Sequence, residues 1–386
     1  MFNPATLSKF QSLNTPFYYY DTNLLRETLK RAKEASIKYG YNVHYALKAN
    51  VNDPVLKIVR ELGLGADCVS GNEVKKALEI GFDAAHIVFA GVGKSDAEIN
   101  YALSQNIFCF NCESKQELEV LNELAGKQNK KAGVALRINP NVNANTHHYI
   151  TTGLEENKFG INIWEFEAVI ALLKNLPNIN LLGLHFHIGS QIMDLANFKS
   201  LCLKVNEVQQ WFANHHIPLP NLNMGGGLGV NYHEPDTQAI PDFAAYFKIF
   251  NEILVLQANQ KVHFELGRSI VAQCGNLISR VLYIKNGLNT NFAILDAGMT
   301  DLIRPALYQA YHQIENLSAA SAVISVKYDV VGPICESSDC FRKAVELPET
   351  KRGDLMAIRT AGAYGEVMVS QYNLRDKPVA YYSENL

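Results

Sequence analysis

The chain has no long apolar run and no block of basic residues. About 18 consecutive apolar residues are needed to span a membrane, and no run approaches that length. Residues 1–6 lack the charged start and following apolar stretch of a secretory signal. The formal net charge of -3 argues against nucleic acid or anionic lipid as the main partner. These absences predict a cytoplasmic protein that acts on a small molecule.

Paired cysteines are also scarce. The seven cysteines are an odd number scattered along a 386-residue chain, which predicts reduced thiols rather than a disulfide framework. Cys109-Phe110-Asn111-Cys112 is the single CxxC motif, and neither a second pair nor a nearby histidine completes a tetrahedral zinc site. We therefore expect no metal centre.

A Gly-x-Gly-x-x-Gly fingerprint is missing after the first predicted strand, which disfavours a dinucleotide-binding doubly wound sheet. Instead, eight short β-rich runs alternate with segments of helical spacing. The runs begin near Val43, Leu64, Ile87, Ile107, Val134, Leu181, Leu222 and Val262. Their average spacing of about 31 residues is that of a βαβ unit. The pattern predicts an α/β fold, a (β/α)8 TIM barrel.

After about residue 270 the pattern changes to strands separated by turns. Strand-like runs occupy residues 278–284, 292–295, 328–331 and 355–358. They predict a second, C-terminal domain of β-sandwich or barrel-like form, which residues 15–21 could join as an extra strand. We expect a barrel over residues 24–265 and a β domain formed by residues 1–23 and 266–386.

Chemically reactive residues follow three of the predicted barrel strands. Lys48 ends the first strand, Gly225-Gly226-Gly227 follows the seventh, and Glu265-Leu266-Gly267-Arg268 closes the eighth. Successive glycines expose backbone N–H groups that can bind a phosphate, and a carboxylate beside a pyridine nitrogen keeps that nitrogen protonated. An amine, a phosphate site and this carboxylate are what pyridoxal 5'-phosphate requires.

The motif His185-Phe186-His187 offers an alternative. Side chains alternate along a strand, so the two imidazoles share one face, and this spacing holds the metal in zinc-dependent amidohydrolase barrels. Those barrels carry the motif on their first strand, whereas here it lies on the sixth. An imidazole stacked on a cofactor ring is therefore favoured.

Eight short motifs, in order between Thr15 and Tyr372, resemble those of the fold type III pyridoxal-phosphate decarboxylases. They are residues 45–50 (Tyr-Ala-Leu-Lys-Ala-Asn), 65–70, 187–191, 225–229, 265–268, 296–299, 332–336 (Gly-Pro-Ile-Cys-Glu) and 362–366 (Gly-Ala-Tyr-Gly-Glu). The chain departs from the family at Ser338, where members often have a glycine before the aspartate.

The resemblance implies a role for each motif residue. Lys48 would form the Schiff base, His187 would stack on the ring, and Glu265 would contact the pyridine nitrogen. The implied cofactor-binding residues are Lys48, His187, Ser190, Gly226, Gly227, Glu265, Gly267, Arg268 and Tyr364. The implied substrate-binding residues are Arg268, Arg304, Tyr308, Glu336 and Tyr364. Cys335 would act in catalysis with Lys48, and Cys335 and Glu336 would enter from the other subunit of a homodimer.

The activity implied by the resemblance is decarboxylation of meso-2,6-diaminopimelate to L-lysine and carbon dioxide, the last step of lysine biosynthesis. Arg304 would pair with the distal carboxylate, because a guanidinium binds a carboxylate through two parallel hydrogen bonds. Decarboxylases of ornithine, arginine or carboxynorspermidine share the fold, but their substrates lack that carboxylate. The different class left open is the zinc amidohydrolase with His185 and His187 as ligands.

Overall fold

The computed structural model describes residues 2–141, 158–319 and 325–386. The chain forms two compact units. The first, here called the barrel unit, comprises Thr28–Gly229 and Asp242–Ile270. The second, the sheet unit, comprises Met1–Glu27, Val230–Pro241 and Val271–Leu386. No helix in the described ranges is long and apolar enough to cross a membrane.

Strands and helices are numbered in chain order. The strands are β1 (Phe17–Tyr20), β2 (Asn42–Ala46), β3 (Gly65–Cys68), β4 (Ile87–Phe89), β5 (Cys109–Cys112), β6 (Ala132–Arg137), β7 (Ile179–His185), β8 (Asn221–Asn223), β9 (Lys261–Leu266), β10 (Gly275–Asn286), β11 (Asn291–Leu295), β12 (Ile314–Asn316), β13 (Ser325–Val331), β14 (Cys340–Pro348), β15 (Leu355–Ile358) and β16 (Val379–Tyr382).

Most helices alternate with the strands of the barrel unit, and others lie in the sheet unit. They are α1 (Pro4–Ser12), α2 (Thr22–Ile37), α3 (Asp53–Glu61), α4 (Gly71–Ile80), α5 (Asp96–Ser104), α6 (Lys115–Lys127), α7 (Phe166–Leu173), α8 (Ala196–Asn214), α9 (Phe243–Ile253), α10 (Arg268–Val271) and α11 (Arg304–Tyr308).

The strands β2 to β9 are parallel and close into a barrel, in which β2 pairs with both β3 and β9. Each of the eight predicted runs contains one of these strands, so the predicted TIM barrel is confirmed. Because all eight strands run in the same direction, the residues at their carboxyl ends lie at one rim.

Local sequence signals explain where the barrel helices begin and end. In α4 the side chain of Ser70 accepts a hydrogen bond from the Glu73 backbone N–H, and the helix ends at Gly81 with a left-handed φ of 93°. Ser114 caps α6 in the same way. The serine caps set where α4 and α6 begin, and Gly81 ends α4 before β4.

The barrel strands are buried on both faces, as expected for parallel strands that are covered by helices. All four residues of β3 and all four of β5 are buried. Asp67 in β3 and Asn111 in β5 are fully buried polar residues within these apolar runs. Buried polar groups require partners, and both side chains contact residues of the site described below.

The sheet unit contains a mixed sheet with the order β12-β15-β10-β11-β13-β14, and β1 joins it by pairing with β10 and β16. The run at residues 15–21 therefore does form a strand of the second domain, as the sequence suggested. Phe10 and Phe17 pack with Ile278 and Leu355 to form a core on this sheet. The four predicted C-terminal runs all lie in strands.

Candidate active site

Lys48 lies in a single 3-10 turn directly after β2. Its side chain is 37% exposed, and Nζ is 3.4 Å from the Oδ2 atom of buried Asp67. Gly267, just past β9, approaches this turn closely, since a Cβ there would lie 3.1 Å from the Cβ atoms of Ala46 and Ala49. Small residues thus let the end of β9 pack against the turn that carries the amine.

Asp67 has an unusual electrostatic environment. Burial, together with the negative charge of Glu265, raises the pKa of its carboxyl group to about 8, although Lys48 acts to lower it. Its Oδ1 atom is buried and has no hydrogen-bond partner among the described residues. Asp67 is therefore able to hold a proton near neutral pH beside the Lys48 amine.

Glu265 is surrounded by donors from three other barrel strands. His185 Nε2, at the end of β7, is 3.0 Å from Glu265 Oε2. Asn223 in β8 and Asn111 in β5 donate amide hydrogens to Oε1 at 2.7 and 3.1 Å. All four side chains are buried.

These contacts keep Glu265 ionised. Burial alone would raise its pKa, but the interaction with His185, including their hydrogen bond, and the charge of Lys48 hold the pKa of this carboxyl below its usual range. The environment of Glu265 therefore favours its ionised form, which is the form that keeps a pyridine nitrogen protonated.

The three glycines after β8 form a turn that leaves no room for side chains. Gly225 and Gly227 have left-handed φ values of 65° and 109°. A Cβ on Gly226 would overlap the Glu265 carbonyl oxygen, and one on Gly227 would lie 2.6 Å from the carbonyl oxygen of Gly189. Only glycine fits at these positions, and successive glycines of this kind are typical of backbone turns that bind an anion.

His187 and Arg268 border the glycine turn. His187 Nδ1 accepts a hydrogen bond from the Gly226 N–H at 3.3 Å. Burial, and then the charge of Arg137, lower the pKa of His187 well below its usual value, so the ring is neutral. Arg268 donates through Nε and Nη2 to Ser190 Oγ at 3.2 and 3.1 Å. A neutral ring, a hydroxyl and a guanidinium thus occur together here.

The sheet unit contains the other predicted residues, beginning with Arg304 and Tyr308 at the two ends of α11. Arg304 is buried, donates to His312 Nε2 at 2.8 Å and lies 5.0 Å above the Tyr232 ring. Because that nitrogen accepts, His312 donates through Nδ1 to the Arg359 carbonyl oxygen at 2.8 Å. This series of hydrogen bonds fixes the guanidinium of Arg304 in one orientation.

Cys335 and Glu336 lie on an exposed loop between β13 and β14. Of the seven cysteines, all in the described ranges, Cys335 is the exposed one. Its backbone N–H donates to Asn373 Oδ1 at 3.3 Å, and the Tyr372 hydroxyl donates to Glu336 Oε1 at 2.7 Å. Both side chains are accessible at the surface of the sheet unit.

Asp339 holds this loop in shape. Its carboxylate accepts from the backbone N–H groups of Met299 at 2.6 Å and Ile334 at 2.7 Å. Gly332 is required beside it, since a Cβ there would overlap the Asp339 carboxylate. Ser338, where the resemblance led us to expect a glycine, directly precedes the residue that organises the loop.

Tyr364, also in the sheet unit, adopts a left-handed φ of 55°. This conformation is uncommon for a residue other than glycine. The neighbouring Glu366 accepts a hydrogen bond from the Tyr20 hydroxyl at 2.8 Å, which ties the segment of Tyr364 to β1.

The structure thus brings together one group of predicted residues in the barrel unit and places another in the sheet unit. The first group is Lys48, His187, Ser190, Gly226, Gly227, Glu265, Gly267 and Arg268; the second is Arg304, Tyr308, Cys335, Glu336 and Tyr364. Strand β7 ends at His185, so His187 lies beyond the strand and the two imidazoles contact different partners.

Several residues of the site received no role from the sequence. They are Asp67, Asn111, Asn223 and Asp339, while His185 was considered only as a metal ligand. The signal available for Asp67, Asn111 and Asn223 was a polar residue within or at the end of a short apolar strand. In the described ranges, no group of three or more His, Cys, Asp or Glu side chains is arranged to hold a metal ion.

A family model described as pyridoxal-dependent decarboxylase, pyridoxal binding domain, matches residues 23–272. The chain belongs to the pyridoxal-dependent decarboxylase family. A diaminopimelate decarboxylase of Bacteroides thetaiotaomicron is 57% identical over 381 residues, which cover 98% of this chain and 98% of that protein. The family relationship confirms the predicted fold family and its cofactor, pyridoxal 5'-phosphate.

Solved structures of family members are similar along the whole chain. The diaminopimelate decarboxylase of Helicobacter pylori complexed with L-lysine has a TM-score of 0.92 and 40% identity, covering 98% of this chain and 94% of that one. A lysine/ornithine decarboxylase of Vibrio vulnificus complexed with putrescine has a TM-score of 0.86 with 21% identity, covering all of both chains. At that identity, the second match supports the fold alone.

The residues at the barrel rim fit the family's cofactor. The glycine turn leaves no room for a Cβ, Lys48 provides an amine, and Glu265 is a buried carboxylate. These are the groups that a phosphate, an aldehyde and a pyridine nitrogen require.

The raised pKa of Asp67 predicts a specific pH dependence of stability for the cofactor-free protein. The folded state binds one more proton than the unfolded state between pH about 4 and about 8, so the carboxyl group's stabilising contribution is full below that window and is lost as pH rises through it. We expect the free energy of unfolding of Asp67→Asn, relative to that of wild type, to increase by more than about 1 kcal/mol from pH 5 to pH 9. Denaturant unfolding at both pH values measures the difference.

The matched control is Asp376→Asn, at an exposed position. Its unfolding curves should shift with pH in parallel with those of wild type. A constant difference between Asp67→Asn and wild type from pH 5 to pH 9 would show that Asp67 is ionised throughout.

Proposed function

We propose that this chain catalyses the pyridoxal-phosphate-dependent decarboxylation of meso-2,6-diaminopimelate to L-lysine and carbon dioxide. The observation that carries the proposal is the grouping of Lys48, the glycine turn and the anionic Glu265 at one barrel rim. The substrate is taken from the relatives, since a protein 57% identical over 98% of both chains is named diaminopimelate decarboxylase.

The barrel unit would hold the cofactor. Lys48 would provide the amine for its aldehyde, Gly227 would bind its phosphate through the backbone N–H group with Gly226, Ser190 and Arg268 nearby, and His187 would face its ring. When bound, pyridoxal 5'-phosphate supplies a protonated pyridine ring that takes up the electron pair released as the Cα–carboxylate bond breaks. Glu265 holds the proton on the ring nitrogen.

Lys48 and Cys335 would transfer protons in the reaction. Lys48 would return a proton to Cα, and Asp67, whose Oδ2 atom lies 3.4 Å from the Lys48 amine and whose raised pKa favours its protonated form, would supply that proton. Cys335, an exposed thiol, is the second candidate donor.

The sheet unit would select the substrate. Arg304, oriented by His312, would bind the distal carboxylate, and Tyr308 and Tyr364 would also contact the substrate. Glu336 would bind the distal ammonium group. We propose that Cys335 and Glu336 serve the active site of the other subunit in a homodimer, in agreement with their exposure here. Sedimentation of the purified protein would establish whether it is a dimer.

Lys48 is expected to be the single covalent attachment point. Borohydride reduction of the loaded protein should fix the cofactor to the peptide that contains Lys48, as mass spectrometry would detect. Lys48→Ala should carry no fixed cofactor and should lose carbon dioxide release by at least roughly 100-fold. Lys57→Ala, an exposed lysine on α3, is the control and should behave like wild type. Label on another lysine, or full turnover by Lys48→Ala, would refute the assignment.

Arg304 is expected to determine substrate choice. D-lysine is meso-diaminopimelate without the distal carboxylate, so it cannot use this guanidinium. Arg304→Ala should lose about 2–4 kcal/mol of transition-state stabilisation on meso-diaminopimelate, as obtained from the ratio of kcat/KM values. The loss on D-lysine should be far smaller. Carbon dioxide assays on the two substrates side by side would measure both. Arg352→Ala, an exposed arginine of the same unit, should leave both values unchanged. Equal losses on the two substrates would indicate that Arg304 is structural.

A further inference from the structure

Asn223 connects two parts of the barrel rim that would hold opposite ends of the cofactor. Its Nδ2 donates to Glu265 Oε1 at 2.7 Å, and its Oδ1 accepts from the Gly225 N–H at 2.9 Å. A carboxylate only accepts and a backbone N–H only donates, so the amide can have only this orientation. One buried side chain therefore sets the positions of both the anion and the glycine turn.

Asn111 makes a second contact with the same carboxylate oxygen. It lies at the centre of the CxxC segment, is fully buried and donates through Nδ2 to Glu265 Oε1 at 3.1 Å. Its own oxygen is 3.8 Å from the Cys109 thiol, which is a weak donor. The segment that resembled a metal or redox motif thus contributes its asparagine to the site.

The two amides contact one carboxylate oxygen of Glu265, and His185 contacts the other. They occupy Oε1 with neutral donors, whereas Oε2 contacts His185 and is the oxygen left for a ring N–H. Burying an unpaired carboxylate is costly, and hydrogen bonds to a charged acceptor are about twice as strong as neutral ones. Because amides do not titrate, their support for the anion is independent of pH.

We propose that Asn111 and Asn223 are positioning residues that keep Glu265 anionic and directed at the cofactor's ring nitrogen, and that Asn223 also couples Glu265 to the glycine turn. The inference rests on the proposed function in one respect, namely that Glu265 faces that nitrogen. It assigns to these two residues an effect transmitted through another side chain rather than contact with the substrate.

A double-mutant cycle tests the inference. The affinity of the cofactor-free protein for pyridoxal 5'-phosphate is titrated for wild type, Asn111→Leu, Glu265→Gln and the double variant. Loss of a hydrogen bond to a charged group should weaken binding by roughly 10- to 100-fold in Asn111→Leu. In the Glu265→Gln background, where the acceptor is neutral, the same change should cost less than roughly fourfold.

Asn223→Leu should behave differently from Asn111→Leu. It should weaken binding more and should keep part of its effect in the Glu265→Gln background, because the bond to Gly225 does not involve Glu265. That residual part should disappear when pyridoxal, which lacks the phosphate, replaces pyridoxal 5'-phosphate as the probe.

A second readout distinguishes positioning from general support of the fold. The chemical shift of a cofactor labelled with 15N at the ring nitrogen reports whether that nitrogen is protonated. In Asn111→Leu the pH at which it loses its proton should fall relative to wild type. The matched control is Asn316→Leu, which removes a buried amide that donates to Asp354 in the sheet unit. It should lower stability without changing cofactor affinity or the 15N titration.

The results of these experiments distinguish failure of the proposed function from failure of the positioning role. If wild type does not bind pyridoxal 5'-phosphate, the proposed function fails. If wild type binds it but the losses in the cycle are additive, or the 15N titration is unchanged, only the positioning role of the asparagines is overturned. If Asn111→Leu does not fold, Asn111→Ala removes the same amide without adding apolar bulk, and the same cycle applies.

Discussion

The site depends on a buried carboxylate that is kept charged. Glu265 would be expelled or neutralised in an apolar barrel if it stood alone, because burial penalises the anion. Donors on three other strands, namely Asn111, His185 and Asn223, offset that penalty. Since parallel strands all end at the same rim, a closed barrel is the architecture that lets four strands contribute to one group. The positions of Lys48 and the glycine turn follow from the same closure.

The Glu265 cluster and the loop that carries Cys335 are held by different kinds of contact. At the barrel rim, side chains bond directly to one another, as in the contacts of Glu265 with its donors. In the sheet unit the important loop is held through its backbone, where Asp339 accepts from the N–H groups of Met299 and Ile334. That arrangement leaves the side chains of Cys335 and Glu336 exposed and available to another molecule.

The sequence was sufficient to predict the barrel, the second β domain and the cofactor, because hydrophobic period, caps and motif order are local properties. It was insufficient to predict which side chains contact one another inside the site. Asn111 meets Glu265 across 154 positions and His185 meets it across 80, so neither pair can be read from spacing. For the same reason His185 was grouped with its sequence neighbour His187, although the strand ends between them and each ring contacts a different element. The individual catalytic and binding roles stay predictions.

The tight approach of Gly226 to the Glu265 carbonyl oxygen has a consequence for selectivity. The backbone that would bind an anion and the strand that bears the ring-directed acid touch without an intervening side chain, so they form one stiff frame with a set span. If the glycine turn binds the phosphate and Glu265 the ring nitrogen, as proposed, this fixed separation would disfavour a ligand whose anionic tail is one bond longer or shorter. The barrel would then discriminate among vitamin B6 derivatives by the length of the anionic tail.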